Sequence, residues 1–234
     1  MRIGVIGSGG QGSALAQRLA QLGHEVAIAN SRGPESLAAH AAEVGATPAS
    51  VAEATAGADV VIVSIPTIAV PALPAGLLAD LDDRVVVVDT TNYHPELRDG
   101  RIAAIDDGLL DSEWVAQRLG RPVIKAFNNI FAHSLLDSGR PAGDPERIAL
   151  PVAGDPVQAR ATVLDLIDDL GFDPVDGGGL DDSWRQQPGT PAYCQDLGAA
   201  ALRAALAAAE RSRIGEYRVG EEERIKRSIA AQGG

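Results

Sequence analysis

Several things are scarce in this chain of 234 residues, and most of these scarcities remove a class of protein. There is one cysteine, Cys194, so no internal disulfide forms and no cysteine cluster can hold a metal. The four histidines, His24, His40, His94 and His133, are scattered, and none has a neighbour at metal-ligand spacing, so no metal site is expected. Aromatic residues make up 3% of the chain, which is unremarkable for a domain with alanine-rich helices. Basic residues are also in deficit. With 20 Lys and Arg against 32 Asp and Glu, the formal net charge of −12 disfavours nucleic acid or an anionic membrane surface as a partner. No apolar run reaches spanning length and no signal-peptide pattern opens the chain, so a cytoplasmic protein is expected. The P-loop string ending in Lys-Ser or Lys-Thr is missing, as is a GxSxG elbow.

What is present is concentrated at the start. The apolar run Ile3 to Ile6 leads into Gly7-Ser8-Gly9-Gly10-Gln11-Gly12, a helical pattern runs on through Leu15, Leu19 and Leu22, and a second apolar run, Val26 to Ala29, ends in Asn30-Ser31-Arg32-Gly33. Strand, glycine turn, helix and strand in this order form a dinucleotide-binding unit. Gly7 permits the turn off the strand, Gly9 clears the approach to a pyrophosphate, and Gly12 lets the helix pack on the sheet. Free amides at the start of that helix favour phosphate.

The second strand selects the dinucleotide. An NAD site places a carboxylate there, about 20 residues on, for the ribose hydroxyls. This chain has Asn30, Ser31 and Arg32 instead, a hydroxyl and a guanidinium suited to a 2′-phosphate, and NADP(H) is expected over NAD(H). The competing reading makes Arg32 a solvated loop charge.

Further along, a helix is expected over 35–44, a short strand over 46–48, a short helix over 51–55 and a buried strand over 58–66. Ser64-Ile65-Pro66 then falls in the crevice at the strand ends, with Ile65 and Pro66 against the cofactor or, more simply, at the point where the strand stops. A helical segment interrupted by Pro71 and Pro74 is expected over 68–81, then a strand over 84–89. Its polar end, Asp89-Thr90-Thr91-Asn92-Tyr93-His94-Pro95, is where nicotinamide and substrate would meet, or else a turn that caps the next segment. A helix over 111–119 and a strand over 122–127 come next. Lys125 and Asn128 at that strand's end are donors for the nicotinamide carboxamide, with structural pairing as the alternative. Asn92, His94 and Lys125 are the candidate catalytic groups, although no residue stands out as a dedicated acid. Thr90 and Asn128 join the cofactor set.

A strand over 147–153, a helix over 156–170 and a strand over 172–175 precede Gly177-Gly178-Gly179, the clearest boundary in the chain. It divides the sequence into 1–178, a dinucleotide-binding domain, and 179–234, a small and mostly helical segment. Trp184, Arg185 and Gln186 lie in a proline-rich stretch ending at Tyr193, which either caps the substrate pocket or packs Trp184 into the core. Helices over 196–213 and 221–229 complete the expectation.

These motifs, together with Lys125-Ala126-Phe127-Asn128 and the 176–182 region, resemble the deazaflavin-dependent NADP reductases, the 8-hydroxy-5-deazaflavin:NADPH oxidoreductase-like enzymes. They are also similar to the NADPH-binding module of membrane ferric reductases. The resemblance implies an α/β, Rossmann-type, doubly wound and mainly parallel sheet with a small C-terminal segment. It implies a homodimer and hydride exchange between NADP(H) and a small-molecule acceptor, a deazaflavin or flavin. It also assigns Ser31 and Arg32 to the 2′-phosphate, Gly9, Gly10 and Gln11 to the pyrophosphate, and Ile65 and Pro66 to the dinucleotide wall. Two further readings stay open: reduction of a small carbonyl or imine, and an NADPH-sensing module without turnover.

Overall fold

The computed structural model describes residues 1–232. Strand β1 (Arg2–Ile6) runs into helix α1 (Gly10–Gln21) and strand β2 (Glu25–Ala29). A 3-10 turn, Pro34–Leu37, continues into α2 (Ala38–Glu43), then β3 (Thr47–Ala49), α3 (Val51–Thr55) and β4 (Val60–Val63). After β5 (Val86–Asp89) come a single π turn, Pro95–Asp99, α4 (Ala103–Asp106), α5 (Asp111–Leu119), β6 (Ile124–Lys125) and α6 (Ala132–Asp137). The chain closes with β7 (Ala149–Val152), α7 (Val157–Asp169), β8 (Asp173–Asp176), a 3-10 segment, Leu180–Gln186, α8 (Ala199–Ala208) and α9 (Ile214–Gln232).

The six-stranded sheet has the order β3-β2-β1-β4-β5-β6, and every pairing is parallel. β7 and β8 form a separate parallel pair, joined to β6 through an antiparallel bridge between Lys125 and Ala153. This is the doubly wound, Rossmann-type α/β arrangement, with the order reversing between β1 and β4.

The apolar strands read as continuous runs because both faces of the sheet are covered. Ile3, Val5, Val60, Ile62, Val86 and Val88 belong to one core, with α1 and α7; Ile6, Val61, Val63 and Val87 belong to the other, with Trp114 and Val115 of α5. Side chains alternate between cores with the two-residue period of a strand. Ser50 caps α3 from both directions: its Oγ accepts from Glu53 N (3.2 Å), and its own N donates to Glu53 Oε2 (2.8 Å).

The expected strands and major helices are in place, with differences that arise from local chemistry. Over 68–81 only a 3-10 turn, Thr67–Ala72, forms with Pro71 inside it, since prolines at 71 and 74 remove the amides a longer helix requires. The expected strand over 122–127 pairs only at Ile124–Lys125, because Phe127 takes a φ of 59°, outside the extended region. α6 lies outside the expected elements. The terminal helix begins at Ile214 rather than 221. Gly177 is tied down by its N donating to Val152 O (2.7 Å), and Gly178 O accepts from Gly154 N (3.0 Å).

Candidate functional site

At the carboxyl end of β1, Gly7 has φ +122°, and a Cβ there would stand 2.0 Å from Ser64 O. A Cβ on Gly12 would stand 2.1 Å from Gly7 O, so α1 is pressed against the loop and β4 as the glycine spacing requires. Gly9 differs: nothing lies within 4 Å of its Cβ position, and Gly9, Gly10 and Gln11 line an open cleft of about 460 Å³. A side chain at Gly9 would fill space that a pyrophosphate needs, while the first amides of α1 stand ready to bind it. Gln11 Nε2 donates to Phe127 O (2.8 Å) and ties this loop to the end of β6.

Gly7 N donates to Ala29 O (2.8 Å), which sets the end of β2 beside the glycine turn. There Asn30 Oδ1 accepts from Arg32 N (2.8 Å), an Asx turn that shapes the loop. Ser31 and Arg32 are exposed, and Arg32 forms no ion pair among the described residues. No carboxylate occupies positions 30–34. The residues present therefore fit an NADP(H) adenosine end: a glycine cradle, free helix amides, and a hydroxyl and guanidinium where NAD sites carry an acid.

The cleft continues over Ser64, Ile65, Pro66, Thr90, Thr91, Asn92, His94 and Asn128, as expected for the strand ends. Asn92 and Asn128 are committed to each other. Asn92 Nδ2 donates to Asn128 O (2.9 Å), Asn128 Nδ2 donates to Asn92 Oδ1 (3.0 Å) and Gln186 O (2.7 Å), and Gln186 Nε2 donates to Asn128 Oδ1 (3.0 Å). This amide network fixes the backbone at the cleft floor, so the structure gives Asn92 a framing role.

Two other expectations are corrected. Lys125 does not line the cleft: it is 1% exposed, and its Nζ pairs with Asp89 Oδ2 (3.1 Å) and donates to Thr91 O. Asp89 is itself buried, accepting also from Ser112 Oγ (2.7 Å) and Thr91 N (2.8 Å). A buried carboxylate needs its counter-charge, and that need holds the ammonium away from the cleft. Trp184, Arg185 and Gln186 do not reach the cleft either. Trp184 packs with Leu110, Ala209 and Ile214, Arg185 lies over its ring at 4.4 Å, and Gln186 is buried behind Asn128. Only the end of that loop, Tyr193 and Cys194, lines the cleft.

The far wall comes from residues that no motif announced: Arg98, Ile130, Phe131, and Glu221, Arg224 and Ile225 of α9. In sequence, α9 reads as a charged surface helix. It is brought to the cleft by Arg218, whose Nη2 pairs with buried Asp111 Oδ1 (3.1 Å) while its guanidinium lies 4.7 Å from the Tyr93 ring centre. Burial raises the Asp111 carboxyl, and Arg218 opposes that shift. Glu222 Oε1, also buried, accepts from Glu96 N (3.0 Å).

Three titratable groups around the cleft are shifted away from neutrality. His94 is pulled down to about 4, first by burial and then by the adjacent Arg98 guanidinium, so its imidazole is uncharged near pH 7. Burial pushes the Cys194 thiol up to about 12 and the Tyr193 phenol well above its ordinary value. Glu221 is held in a two-pronged pair with Arg224, Nε to Oε2 at 2.8 Å and Nη2 to Oε1 at 2.6 Å.

The sheet, the glycine turn and the cleft at the strand ends define a Rossmann-type NADP-binding protein. Residues 2–93 match the family NADP oxidoreductase coenzyme F420-dependent. Among solved structures, a hypothetical protein from Sinorhizobium meliloti is 31% identical with a TM-score of 0.70, the match covering 84% of this chain and 95% of that one. A proposed F420-dependent NADP-reductase from Arthrobacter sp. FB24 is 27% identical with a TM-score of 0.63, covering 78% of this chain and 87% of that one. The Escherichia coli (strain K12) protein YjhV is 45% identical over 78 residues, which are 33% of this chain and 57% of that protein. The chain belongs to one family with the Sinorhizobium meliloti protein, which it matches along most of its length, and within it residues 2–93 carry the NADP oxidoreductase match. Among the described residues no helix is long and apolar enough to cross a membrane.

Proposed function

We propose that this protein transfers a hydride between NADP(H) and a deazaflavin or flavin-type ring, the dinucleotide supplying the hydride when it reduces. The observation that carries this reading is the make-up of the cleft, whose lining includes Ile65, Pro66, Phe131 and Ile225 and from which Lys125 is withdrawn into its pair with Asp89. Burial pulls His94 down to about 4, so its imidazole carries no proton to give near neutrality beyond the one of its neutral form. Reduction of a simple carbonyl calls for a proton donor placed at its oxygen. A conjugated ring delocalises the incoming charge or takes its proton from solvent, so a cleft that orients and excludes water suffices. Ile65, Pro66, Phe131 and Ile225 supply apolar lining for such a ring, and Asn92 and Asn128 hold the floor on which it would rest.

The test is NADPH oxidation by purified protein against 8-hydroxy-5-deazaflavin, FMN, riboflavin, ferric chelates and small carbonyls or imines, with NADH alongside. Turnover with the ring compounds and none with carbonyls is expected. Turnover confined to carbonyls or imines would overturn the reading and point to Tyr193 as a donor, while tight NADPH binding without any turnover would favour a sensor. Separately, Arg32→Ala should weaken NADPH by about ten- to a hundredfold, the worth of one charged hydrogen bond, and change NADH little. Equal losses for the two dinucleotides in a fluorescence titration would remove Arg32 from the 2′-phosphate.

A further inference from the structure

The side chain of Gln11 joins two walls of the cleft, the glycine turn and the residues that follow β6. β6 lies three strand positions from β1 in the sheet, about 14 Å at ordinary strand spacing, and yet the two ends meet. The chain turns back at Phe127, whose φ of 59° is a left-handed conformation that a bulky residue rarely adopts. Beyond it, Ala132 returns to the start of α1, its Cβ 3.7 Å from where a Cβ on Gly10 would stand. The 127–132 segment therefore closes the cleft beside the glycine turn, and Phe127, Asn128, Ile130 and Phe131 line it.

A left-handed phenylalanine persists only where its surroundings over-determine it. Its side chain is 1% exposed in the core, and Ala126 N just before it donates to Asp89 O (3.2 Å). The next three carbonyls are each held from a different part of the chain. Phe127 O accepts from Gln11 Nε2 (2.8 Å), Asn128 O from Asn92 Nδ2 (2.9 Å) and Asn129 O from Cys194 N (3.0 Å). Of these three ties, the one from Gln11 starts in the phosphate turn. A carbonyl only accepts, so the Gln11 amide presents its NH2 to Phe127. The backbone amides at the start of α1 suffice to meet a pyrophosphate, and the Gln11 side chain instead sets the distance from that turn to the amide floor of Asn92 and Asn128.

We propose that Gln11 is a positioning residue that fixes the nicotinamide half of the dinucleotide relative to the pyrophosphate, acting through Phe127 and Asn128 rather than on the phosphates. With the adenosine end over β2 and the pyrophosphate at the start of α1, the nicotinamide falls over the ends of β4, β5 and β6, where that floor lies. This rests on the NADP(H) reading above and is independent of which acceptor is used. Gln11→Met keeps the length of the side chain and removes the donor. NADPH carries a fluorescent nicotinamide and 2′,5′-ADP lacks that half, so the two ligands separate the ends of the site. In the variant, 2′,5′-ADP affinity should stay within about twofold of wild type, while NADPH weakens about three- to tenfold, the effect of one neutral hydrogen bond. The fluorescence anisotropy of the bound nicotinamide should fall. With the acceptor that the turnover panel identifies, kcat should drop about tenfold or more, since hydride transfer depends steeply on alignment. Gln11→Lys, whose ammonium spans the same gap and donates, should recover the anisotropy and most of kcat.

Equal weakening of NADPH and 2′,5′-ADP in a folded Gln11→Met variant would overturn the proposal, because the side chain would then serve the phosphates directly. So would a variant whose bound nicotinamide is as ordered as in wild type. Circular dichroism checks folding, and if the methionine variant does not fold, Gln11→Asn takes its place: it keeps the amide but falls one methylene short of Phe127 O, and the same outcomes decide. The affinity and anisotropy measurements need no acceptor, so they stand even if the panel shows no turnover. If the wild type binds neither NADPH nor 2′,5′-ADP, the NADP(H) reading fails and the proposal falls with it.

Discussion

Lys125→Met is expected to destabilise the protein by about 3–5 kcal/mol, because it strips the counter-charge from a carboxylate that has nowhere else to find one. Asp89 is fully buried at the end of β5 and Lys125 is buried at the end of β6, so the pair bridges neighbouring strands where the cleft begins. Ser112 Oγ and Thr91 N would still donate to Asp89, but two neutral donors do not offset a buried charge. Methionine fills the volume of the lysine stem, which confines the effect to the ammonium. Urea unfolding monitored by circular dichroism reads the loss. The double variant Asp89→Asn/Lys125→Met should recover a large part of it, since neither charge is then left buried. A single variant as stable as wild type would mean that the pair is dispensable to the fold, and a catalytic role for Lys125 would return.

Trp184→Ala is expected to cost a further large amount, about 3–5 kcal/mol, as does removal of a buried indole from a packed site. Trp184 is 5% exposed and joins Leu110, which precedes α5, to Ala209 and Ile214 on either side of the turn into α9. The Arg185 guanidinium over the ring adds a cation–π contact. At temperatures where the variant remains folded, NADPH affinity should stay within about twofold, since the indole lies outside the cleft. Unchanged stability together with a lost response to the acceptor would instead restore Trp184 as a cap over the pocket.

Both expectations depend on features that sequence reading leaves open between a site role and a structural one. Lys125 sits in a polar string at a strand end, where a donor to the nicotinamide and a structural partner look alike. The difference lies in Asp89, which is 36 positions away in sequence and adjacent only once β5 and β6 pair. Trp184 with Arg185 and Gln186 has the composition of a binding loop. It is the 3-10 segment Leu180–Gln186 that turns the indole inward and Gln186 toward Asn128.

The dinucleotide half was legible because its constraints are local. Gly7 and Gly12 answer to contacts within the first turn and with the adjacent strand, Gly9 to the open cleft beside it, and the apolar runs of β1, β2, β4 and β5 show burial on both faces without reference to any distant residue. The choice of Ser31 and Arg32 over a carboxylate is likewise a statement about one loop. The far wall of the cleft is assembled otherwise. Arg98, Tyr193, Cys194, Glu221, Arg224 and Ile225 share a cleft only because α9 is moored on Asp111 and Tyr93 through Arg218, a contact spanning more than 100 positions. The sequence by itself therefore determined the sheet, the phosphate turn and the class of dinucleotide, all set by short-range backbone geometry and strand burial. Only the tertiary structure decided which charged residues are sequestered and which face the cleft, because burial and pairing of charge are properties of the packed whole.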